Sequence, residues 1–255
     1  MKPFLFVTDL DNTLVGDDRA LETLNQKLHK HRQEYGTKIV YATGRSLYLY
    51  RQLTTQKQLL QPDALLTSVG TEIYFNPTTH TVDVEWAQML SQGWDREKIV
   101  ATGRNFADLV LQPKSEQNSF KVSYYLTDRA AVKVIPRFKS SLSDKGLNVK
   151  FIYSAGKDLD VLPSQGDKGL ALQFLRQKWK VNAQQTSVCG DSGNDIALFT
   201  RQERGIIVGN AKPELRQWYR ENQTDYRYLA TAHYAGGILE GLKHFNFFTS
   251  SDGSK

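Results

Sequence analysis

The sequence contains a single cysteine, Cys189, and no long hydrophobic run. One cysteine cannot form a disulfide within the chain, nor a zinc site built from cysteines. The apolar runs, such as residues 4–7, are far shorter than the roughly 20 residues that span a bilayer. The N-terminal residues also lack the pattern of a cleavable signal peptide. These absences predict a protein of the reducing cytoplasm with no membrane partner.

The chain also lacks a block of charge of one sign. Its 33 Lys and Arg against 27 Asp and Glu give a net charge of +6, but both signs are interspersed, with a mild basic bias in the middle third. No nucleic-acid-binding motif is present, so we expect no nucleic-acid partner. A small phosphorylated ligand fits this bias well.

Apolar runs and helical spacing alternate at both ends of the chain. Residues 4–9, 38–44 and 64–70 are short apolar runs typical of buried parallel strands, and stretches with helical periodicity separate them. Alternation resumes from Lys168 with a helix, a strand over 186–190 and further short elements. The pattern predicts an α/β fold with a doubly wound, mainly parallel, Rossmann-type sheet.

The middle of the chain departs from this alternation and predicts an inserted α+β module. Apolar segments at 73–75 and 82–86 flank turn residues and predict a β-hairpin. We expect a discontinuous core over 1–78 and 160–248 with a cap over 79–159. Turn residues predict hinges around Asn76 and around Ser154–Gly156. The Gly- and Ser-rich residues 249–255 predict a disordered tail.

The unusual polar residues follow predicted strands, where ligands bind in open α/β sheets. Asp9 and Asp11 are two residues apart, so in an extended segment they share one side. Paired carboxylates need a cation or a shared proton. Further polar groups at predicted strand ends or at the start of a helix are Thr43, Gly44, Arg45, Lys168, Asp191, Asn194 and Asp195. Together they indicate a Mg²⁺-assisted phosphoryl-transfer site.

These motifs resemble those of the haloacid-dehalogenase-like phosphohydrolases. Asp9-Leu-Asp-Asn-Thr13 resembles the first motif, Thr43 the second, Lys168 the third, and Gly190-Asp-Ser-Gly-Asn-Asp195 the fourth. The insert resembles the α+β cap of the sucrose-phosphate phosphatases, with matching segments at 42–45, 70–74, 116–118, 121 and 154–158. The resemblance implies hydrolysis of sucrose 6-phosphate to sucrose and phosphate, the last step of sucrose biosynthesis. It also raises sucrose-phosphate synthase as a partner, and we expect a monomer.

The resemblance also implies roles for individual core residues. Asp9 would be the nucleophile, forming an aspartyl-phosphate, and a magnesium ligand. Asp11 would act as acid and base and lend its carbonyl to the metal. Thr43 and Lys168 would be catalytic residues that hold the phosphoryl oxygens. Asp191 would bind the metal, with Asn194 and Asp195 behind it.

Substrate specificity is expected to come from the cap. Polar residues near its predicted strand ends suit a hydroxyl-rich sugar, although the same residues could be solvated loop groups. Together with Thr43, Gly44, Arg45 and Lys168, the expected substrate-binding residues are Asn118, Lys121, Lys157 and Asp158. Glu72 fits either a hinge or a ligand role.

Three alternatives to this function stay open from the sequence. The same site could hydrolyse a different sugar phosphate. It could belong to a phosphohexomutase, which would isomerise its substrate without releasing phosphate. The chain could also be a non-catalytic sugar-phosphate-binding domain, although the acids and lysine expected for catalysis are present.

Overall fold

A computed structural model describes residues 2–76, 78–79 and 81–248. The described residues form two sheets with helices packed against them. The strands are β1 Leu5–Thr8, β2 Lys38–Ala42, β3 Ala64–Thr67, β4 Glu72–Tyr74, β5 Val110–Leu111, β6 Val122–Tyr125, β7 Val149–Ser154, β8 Asp158–Pro163, β9 Thr186–Gly190, β10 Arg204–Ile207 and β11 Arg227–Leu229. The helices are α1 Asp18–Tyr35, α2 Leu47–Gln56, α3 Val84–Ser91, α4 Arg96–Gly103, α5 Asp128–Ser143, α6 Lys168–Trp179, α7 Pro213–Glu221 and α8 Tyr234–His244. The predicted disordered tail, residues 249–255, lies outside the described residues.

The larger sheet has seven strands in the order β11-β10-β9-β1-β2-β3-β4. All neighbours are parallel except β3 and β4. β1 is buried along its whole length, as its unbroken apolar sequence predicts. The chain leaves β1 toward β2 on one side and returns as β9 on the other. This reversal is the topological switch point at which ligands bind in such sheets. The structure therefore confirms the predicted doubly wound α/β core.

Local sequence signals account for the helices that flank this sheet. Asp17 caps α1, accepting hydrogen bonds from the backbone amides of Arg19 and Ala20 at 3.0 and 3.1 Å. Ser46 caps α2 in the same way. These two caps thus fix where α1 and α2 begin.

The smaller sheet has four antiparallel strands in the order β5-β6-β8-β7 and forms the cap. Apolar residues of α4 and α5 pack against one of its faces around Phe138. The other face carries Lys121, Ser123 and Asp160, which are buried polar residues. Buried polar residues need partners. This polar face is directed at the core, because Lys121 and Asp160 line a cavity together with residues of the larger domain.

Three expectations about the insert are wrong in detail. The predicted hairpin after residue 75 does not form, because Asp83 caps a helix over 84–91 instead of continuing a strand. Ser154–Gly156 is not a hinge but the turn between β7 and β8. β8 extends to Pro163 within the cap sheet, so the boundary placed at 159/160 cuts through a strand.

Helix α3 also belongs to the core rather than to the cap in its packing. Trp86 and Leu90 are buried against residues of the larger sheet and of α6. The Trp86 indole Nε1 donates to the Gly70 carbonyl at 3.1 Å. The core–cap boundary at 78/79 therefore stays a prediction of where the chain leaves the core, and it does not describe the packing of α3. No helix among the described residues is long and apolar enough to cross a bilayer.

Candidate active site

Asp9 follows the last residue of β1 at the centre of the larger sheet. Its backbone amide donates to the Cys189 carbonyl at 3.0 Å, which continues the pairing with β9. The side chain is 7% exposed, so the carboxylate is almost removed from solvent. Buried carboxylates of this kind require a charged partner. The fold thus places the predicted nucleophile where it needs a positively charged neighbour.

Lys168 supplies a positive charge to Asp9. As the first residue of α6 it is completely buried, and its Nζ donates to Asp9 Oδ1 at 2.7 Å, Asn194 Oδ1 at 2.8 Å and Asp195 Oδ1 at 2.7 Å. These three acceptors use all three of its ammonium hydrogens. Burial alone would lower the pKa of Lys168, but the carboxylates of Asp195 and Asp9 raise it above its ordinary value. Lys168 therefore remains a permanent cation.

The loop after β9 brings the acids of the fourth motif to the same place. Asp195 Oδ2 accepts from the backbone amides of Asp191 and Ser192 at 3.0 and 3.1 Å, which fixes the loop. α6 packs tightly against the 3₁₀ turn that follows, and a Cβ on Gly169 would lie 2.1 Å from the Ala197 carbonyl oxygen. Only glycine allows this approach, which sets the position of Lys168 relative to the loop.

Asp9, Asp191 and Asp195 form a cluster that fits a divalent cation. One carboxylate oxygen from each lies within 4.8 Å of the others, and all three residues are buried. Asp191 Oδ1 accepts from Thr13 Oγ1 at 3.2 Å, whereas its buried Oδ2 has no hydrogen-bond partner among the described residues. A buried carboxylate oxygen without a partner is costly unless an ion completes it. The donor set is also the all-oxygen type that Mg²⁺ prefers.

The pKa values of these acids also indicate a site for a cation. Burial, followed by the charge of Asp195, raises the pKa of Asp191 to about 7. Burial likewise raises the pKa of Asp9, with repulsion from Asp195 and Asp191 adding to it, although Lys168 opposes the shift. A nucleophile must be ionised, so a bound cation that lowers both pKa values would bring the site into its reactive state.

Asp11 and Arg45 form an ion pair at the entrance to this cluster. The Arg45 Nε and Nη2 atoms donate to the two carboxylate oxygens of Asp11 at 2.7 Å each. Thr43 is fully buried beside them, and its hydroxyl accepts from the Arg45 backbone amide at 3.1 Å. The predicted acid-base residue and the predicted substrate-binding arginine are thus brought together.

A cavity of about 460 Å³ lies between the core and the cap over these residues. Asp9, Asp11, Asp191 and Asn194 line its core side, and Gly44 and Arg45 line one wall. Three of the four cap residues expected to bind substrate line the other side, namely Lys121, Lys157 and Asp158. The structure therefore gathers these expected catalytic and sugar-binding residues around one space, whereas Thr43 and Lys168 are fully buried beside it and are not part of its lining.

Two residues singled out by the sequence lie elsewhere. Asn118 is outside the cavity lining, and its Nδ2 donates to Thr71 Oγ1 at 2.8 Å, where it joins the cap to the core. The expectation that Asn118 contacts substrate is therefore not supported by its position. Glu72 Oε2 accepts from Thr67 Oγ1 at 2.7 Å across the β3–β4 pair. Glu72 thus has a structural partner rather than a place in the cavity.

Sequence reasoning missed several cavity residues: Asn12, Gln112, Glu116, Asp160 and Lys212. Asp160 could have been found, because it is two residues after Asp158 on one strand and therefore faces the same side. Its Oδ1 accepts from Ser123 Oγ at 2.5 Å and lies 3.7 Å from Lys121 Nζ. Lys212 precedes α7 and carries no local signal of a role.

The fold is that of the haloacid-dehalogenase-like hydrolases, as solved structures from that superfamily show. A putative HAD-like hydrolase of Nitrosococcus oceani is 30% identical over 94% of this chain and 71% of that protein, which places the chain in the same class. The model of the family described as sucrose-6F-phosphate phosphohydrolase matches residues 2–246, and the chain belongs to this family.

Individual relatives agree with this assignment. The crystal structure of the sucrose-phosphatase from Synechocystis sp. PCC6803 in complex with sucrose and phosphate is 44% identical, with a TM-score of 0.89 over 96% of this chain and 98% of that chain. Probable sucrose-phosphatase 2 of Arabidopsis thaliana is 38% identical over 94% of this chain, which spans only 59% of the plant protein. Mannosylfructose-phosphate phosphatase of Agrobacterium fabrum (strain C58) is 32% identical over 96% of this chain and 98% of that protein.

Proposed function

We propose that this chain is a Mg²⁺-dependent phosphatase that hydrolyses sucrose 6-phosphate to sucrose and phosphate. The observation that carries the proposal is the position of buried Asp9, which Lys168 contacts at 2.7 Å at the floor of a polar cavity shared with the cap. The similarity to a sucrose-phosphatase whose structure holds sucrose and phosphate supports the choice of sugar.

The first half of the reaction forms an aspartyl-phosphate. An oxygen of Asp9 attacks phosphorus, and the bond between phosphorus and the sugar oxygen breaks. Lys168 and Thr43 would hold the phosphoryl oxygens, on which negative charge concentrates, and for this Lys168 has to exchange one of its three present acceptors for a phosphoryl oxygen. Asp11 gives a proton to the departing sugar oxygen. Because Arg45 donates to both oxygens of Asp11, this pair has to open before Asp11 can carry that proton.

The second half of the reaction restores the enzyme. Asp11 takes a proton from a water molecule, whose oxygen attacks phosphorus and releases phosphate from Asp9. Asp9, Asp191 and the Asp11 carbonyl would hold Mg²⁺, with Asn194 and Asp195 positioned behind them by Lys168. Bound Mg²⁺ supplies positive charge that the surplus of carboxylates in the site requires.

Phosphate release from a panel of sugar phosphates tests this function. Purified protein would receive sucrose 6-phosphate, mannosylfructose phosphate, fructose 6-phosphate and glucose 6-phosphate, each with Mg²⁺ and again with EDTA. We expect turnover of sucrose 6-phosphate that EDTA abolishes. Equal turnover of the simple hexose phosphates would contradict the substrate, and an isomerised product without phosphate release would identify a mutase.

Hydrolysis of mannosylfructose phosphate is the second candidate. The relative of that name matches this chain along nearly its whole length, at 32% identity. Faster turnover of that substrate than of sucrose 6-phosphate in the same panel would favour it. The expected cytoplasmic location, monomeric state and association with a synthase stay predictions.

A further inference from the structure

The turn between β7 and β8 is a part of the cap that reaches the loop after β9. This loop, residues 191–195, is called the catalytic loop below. Ser154, Ala155 and Lys157 in this turn line the cavity. Ala155 and Gly156 both have positive φ angles, 54° and 68°, which produce a tight reversal. Within the cap, the Lys157 carbonyl accepts from the Leu126 amide at 2.9 Å. The cap thus fixes the shape of the turn.

The catalytic loop meets this turn at Gly193, between Asp191 and Asn194. A Cβ on Gly193 would lie 3.1 Å from the Tyr153 carbonyl oxygen of β7 and 3.1 Å from Glu214 Cγ. Gly193 is therefore enclosed by cap backbone on one side and by the Glu214 side chain on the other. The absence of a side chain at this position allows the cap to approach the loop that carries the metal-binding acid.

Glu214 connects the two segments through one oxygen. Its Oε1 accepts from the backbone amide of Ala155 at 3.3 Å and from that of Gly193 at 3.4 Å. Glu214 is the second residue of α7, a core helix that begins with Pro213. A carboxylate on the core thus holds the tip of the cap and the catalytic loop at the same time.

We propose that Glu214 is a positioning residue that docks the sugar-facing turn 154–157 over the catalytic loop, and that it thereby sets the affinity for substrates that need the cap. The proposal rests on the proposed sugar-phosphatase function for its substrate. Glu214 is absent from the cavity lining, so it acts through the turn and not on the reacting atoms. One hydrogen bond joins the Glu214 carboxylate to the turn and the other joins it to the catalytic loop, and the bond to the turn can break and re-form as the cap opens.

Two substitutions of Glu214 distinguish the loss of the hydrogen-bond acceptor from the loss of the negative charge. Glu214→Ala removes the acceptor, whereas Glu214→Gln keeps an oxygen at Oε1 without the charge. Glu221→Ala is the matched control, because it removes an exposed glutamate from the other end of the same helix. The unfolding temperature of each variant would confirm that the fold persists.

Kinetics with two substrates would show the effect on the cap. For sucrose 6-phosphate, we expect Glu214→Ala to raise KM by up to about tenfold, the upper end of the effect of losing the one hydrogen bond that holds the turn, with kcat within about twofold. For p-nitrophenyl phosphate, which carries no sugar, both constants should stay within about twofold of wild type. Glu214→Gln and Glu221→Ala should resemble wild type. Equal loss of kcat on both substrates, or an unchanged KM, would overturn the proposal.

Amide hydrogen exchange tests the docking without any substrate. We expect the peptide containing residues 154–157 to exchange at least about fivefold faster in Glu214→Ala than in wild type, and at the wild-type rate in Glu214→Gln. An unchanged rate in Glu214→Ala would overturn the proposal. If wild type fails to hydrolyse sucrose 6-phosphate but this exchange difference is present, the proposed substrate is wrong and the docking role stands.

Discussion

At the scale of single residues, the site depends on buried charges that neutralise one another. Lys168 serves Asp9 and Asp195 together, so the loss of the lysine leaves unpaired carboxylates in the interior, and the loss of either aspartate removes one of the two charges that stabilise the buried lysine. Substitutions here therefore test chemistry only when they preserve shape and hydrogen bonding. Asparagine in place of aspartate meets that condition, since it keeps an acceptor for the lysine.

Asp9→Asn should abolish turnover while preserving the fold. An amide oxygen at this position still accepts from Lys168 but cannot attack phosphorus, so we expect kcat to fall by at least about 10³-fold. Initial rates of phosphate release from sucrose 6-phosphate would measure this. Asp108→Asn, an exposed carboxylate in the cap, is the control and should keep full activity. Appreciable turnover by Asp9→Asn would rule out the covalent route.

Short-range sequence spacing predicted the positions of Asp9, Thr43 and Lys168 well, because each follows directly on a strand or begins a helix. Spacing did not predict the ion pair between Asp11 and Arg45, whose residues lie 34 positions apart. The side chains meet because β1 and β2 are neighbours in parallel register, with Thr8 opposite Tyr41. Asn118 shows the opposite error, since a polar residue near a strand end found its partner at the junction of cap and core.

At the scale of elements, the start of α6 joins stability to catalysis. Asp167 caps the helix by accepting from the Leu170 amide at 2.6 Å, and its other oxygen is paired with Lys150 of β7. Lys168 is the next residue. A substitution of the N-cap residue Asp167 would therefore shift Lys168, the positively charged side chain of the site.

Asp167→Ala should lower both stability and activity. We expect the free energy of unfolding to fall by about 1–2 kcal/mol, the usual effect of losing a helix cap, and kcat to fall because Lys168 is less well held. Asp95→Ala provides the comparison, because Asp95 caps α4 by accepting from Lys98 at 2.9 Å and lies outside the cavity lining. Urea denaturation and steady-state kinetics would be measured on both. Equal kcat values in the two variants would show that α6 does not position Lys168.

The prediction of a hairpin over segments 73–75 and 82–86 is wrong for a definite physical reason. The segment 82–86 is apolar at alternate positions, which is typical of a strand, but Asp83 accepts from the Trp86 amide at 2.9 Å and starts a helix. The apolar residues of α3 are then buried against the core sheet. Tertiary burial decided between two local structures that the sequence left nearly balanced.

At the scale of the whole molecule, the carboxylates of the site link stability to pH and to metal. Without metal, the folded state keeps a proton on Asp191 up to a pH of about 7, whereas the unfolded chain loses it near pH 4. Between these values the folded state binds more protons, so the free energy of unfolding falls as the pH rises from about 4 to about 7.

Asp191→Asn should reduce this pH dependence. In EDTA, we expect the contribution of Asp191 to wild-type stability to decline by at most about 4 kcal/mol over that range, because its pKa lies about three units above the ordinary value. Mg²⁺ should reverse much of the decline in wild type and have a smaller effect on the variant. Urea denaturation at pH 4, 5.5 and 7 with EDTA or Mg²⁺ measures both effects. Identical pH profiles for the two proteins would contradict the role of Asp191.

The sequence by itself determined the central strands of the larger sheet and the order of the expected catalytic residues that follow them, because these depend on neighbours within a few positions. The parallel sheet then brought together acids that are nearly 200 positions apart, since β1 and β9 pair side by side. Only the tertiary structure decided which cap residues face the cavity and where the cap meets the core. Those contacts depend on the packing of one sheet over another, and local sequence carries little information about that packing.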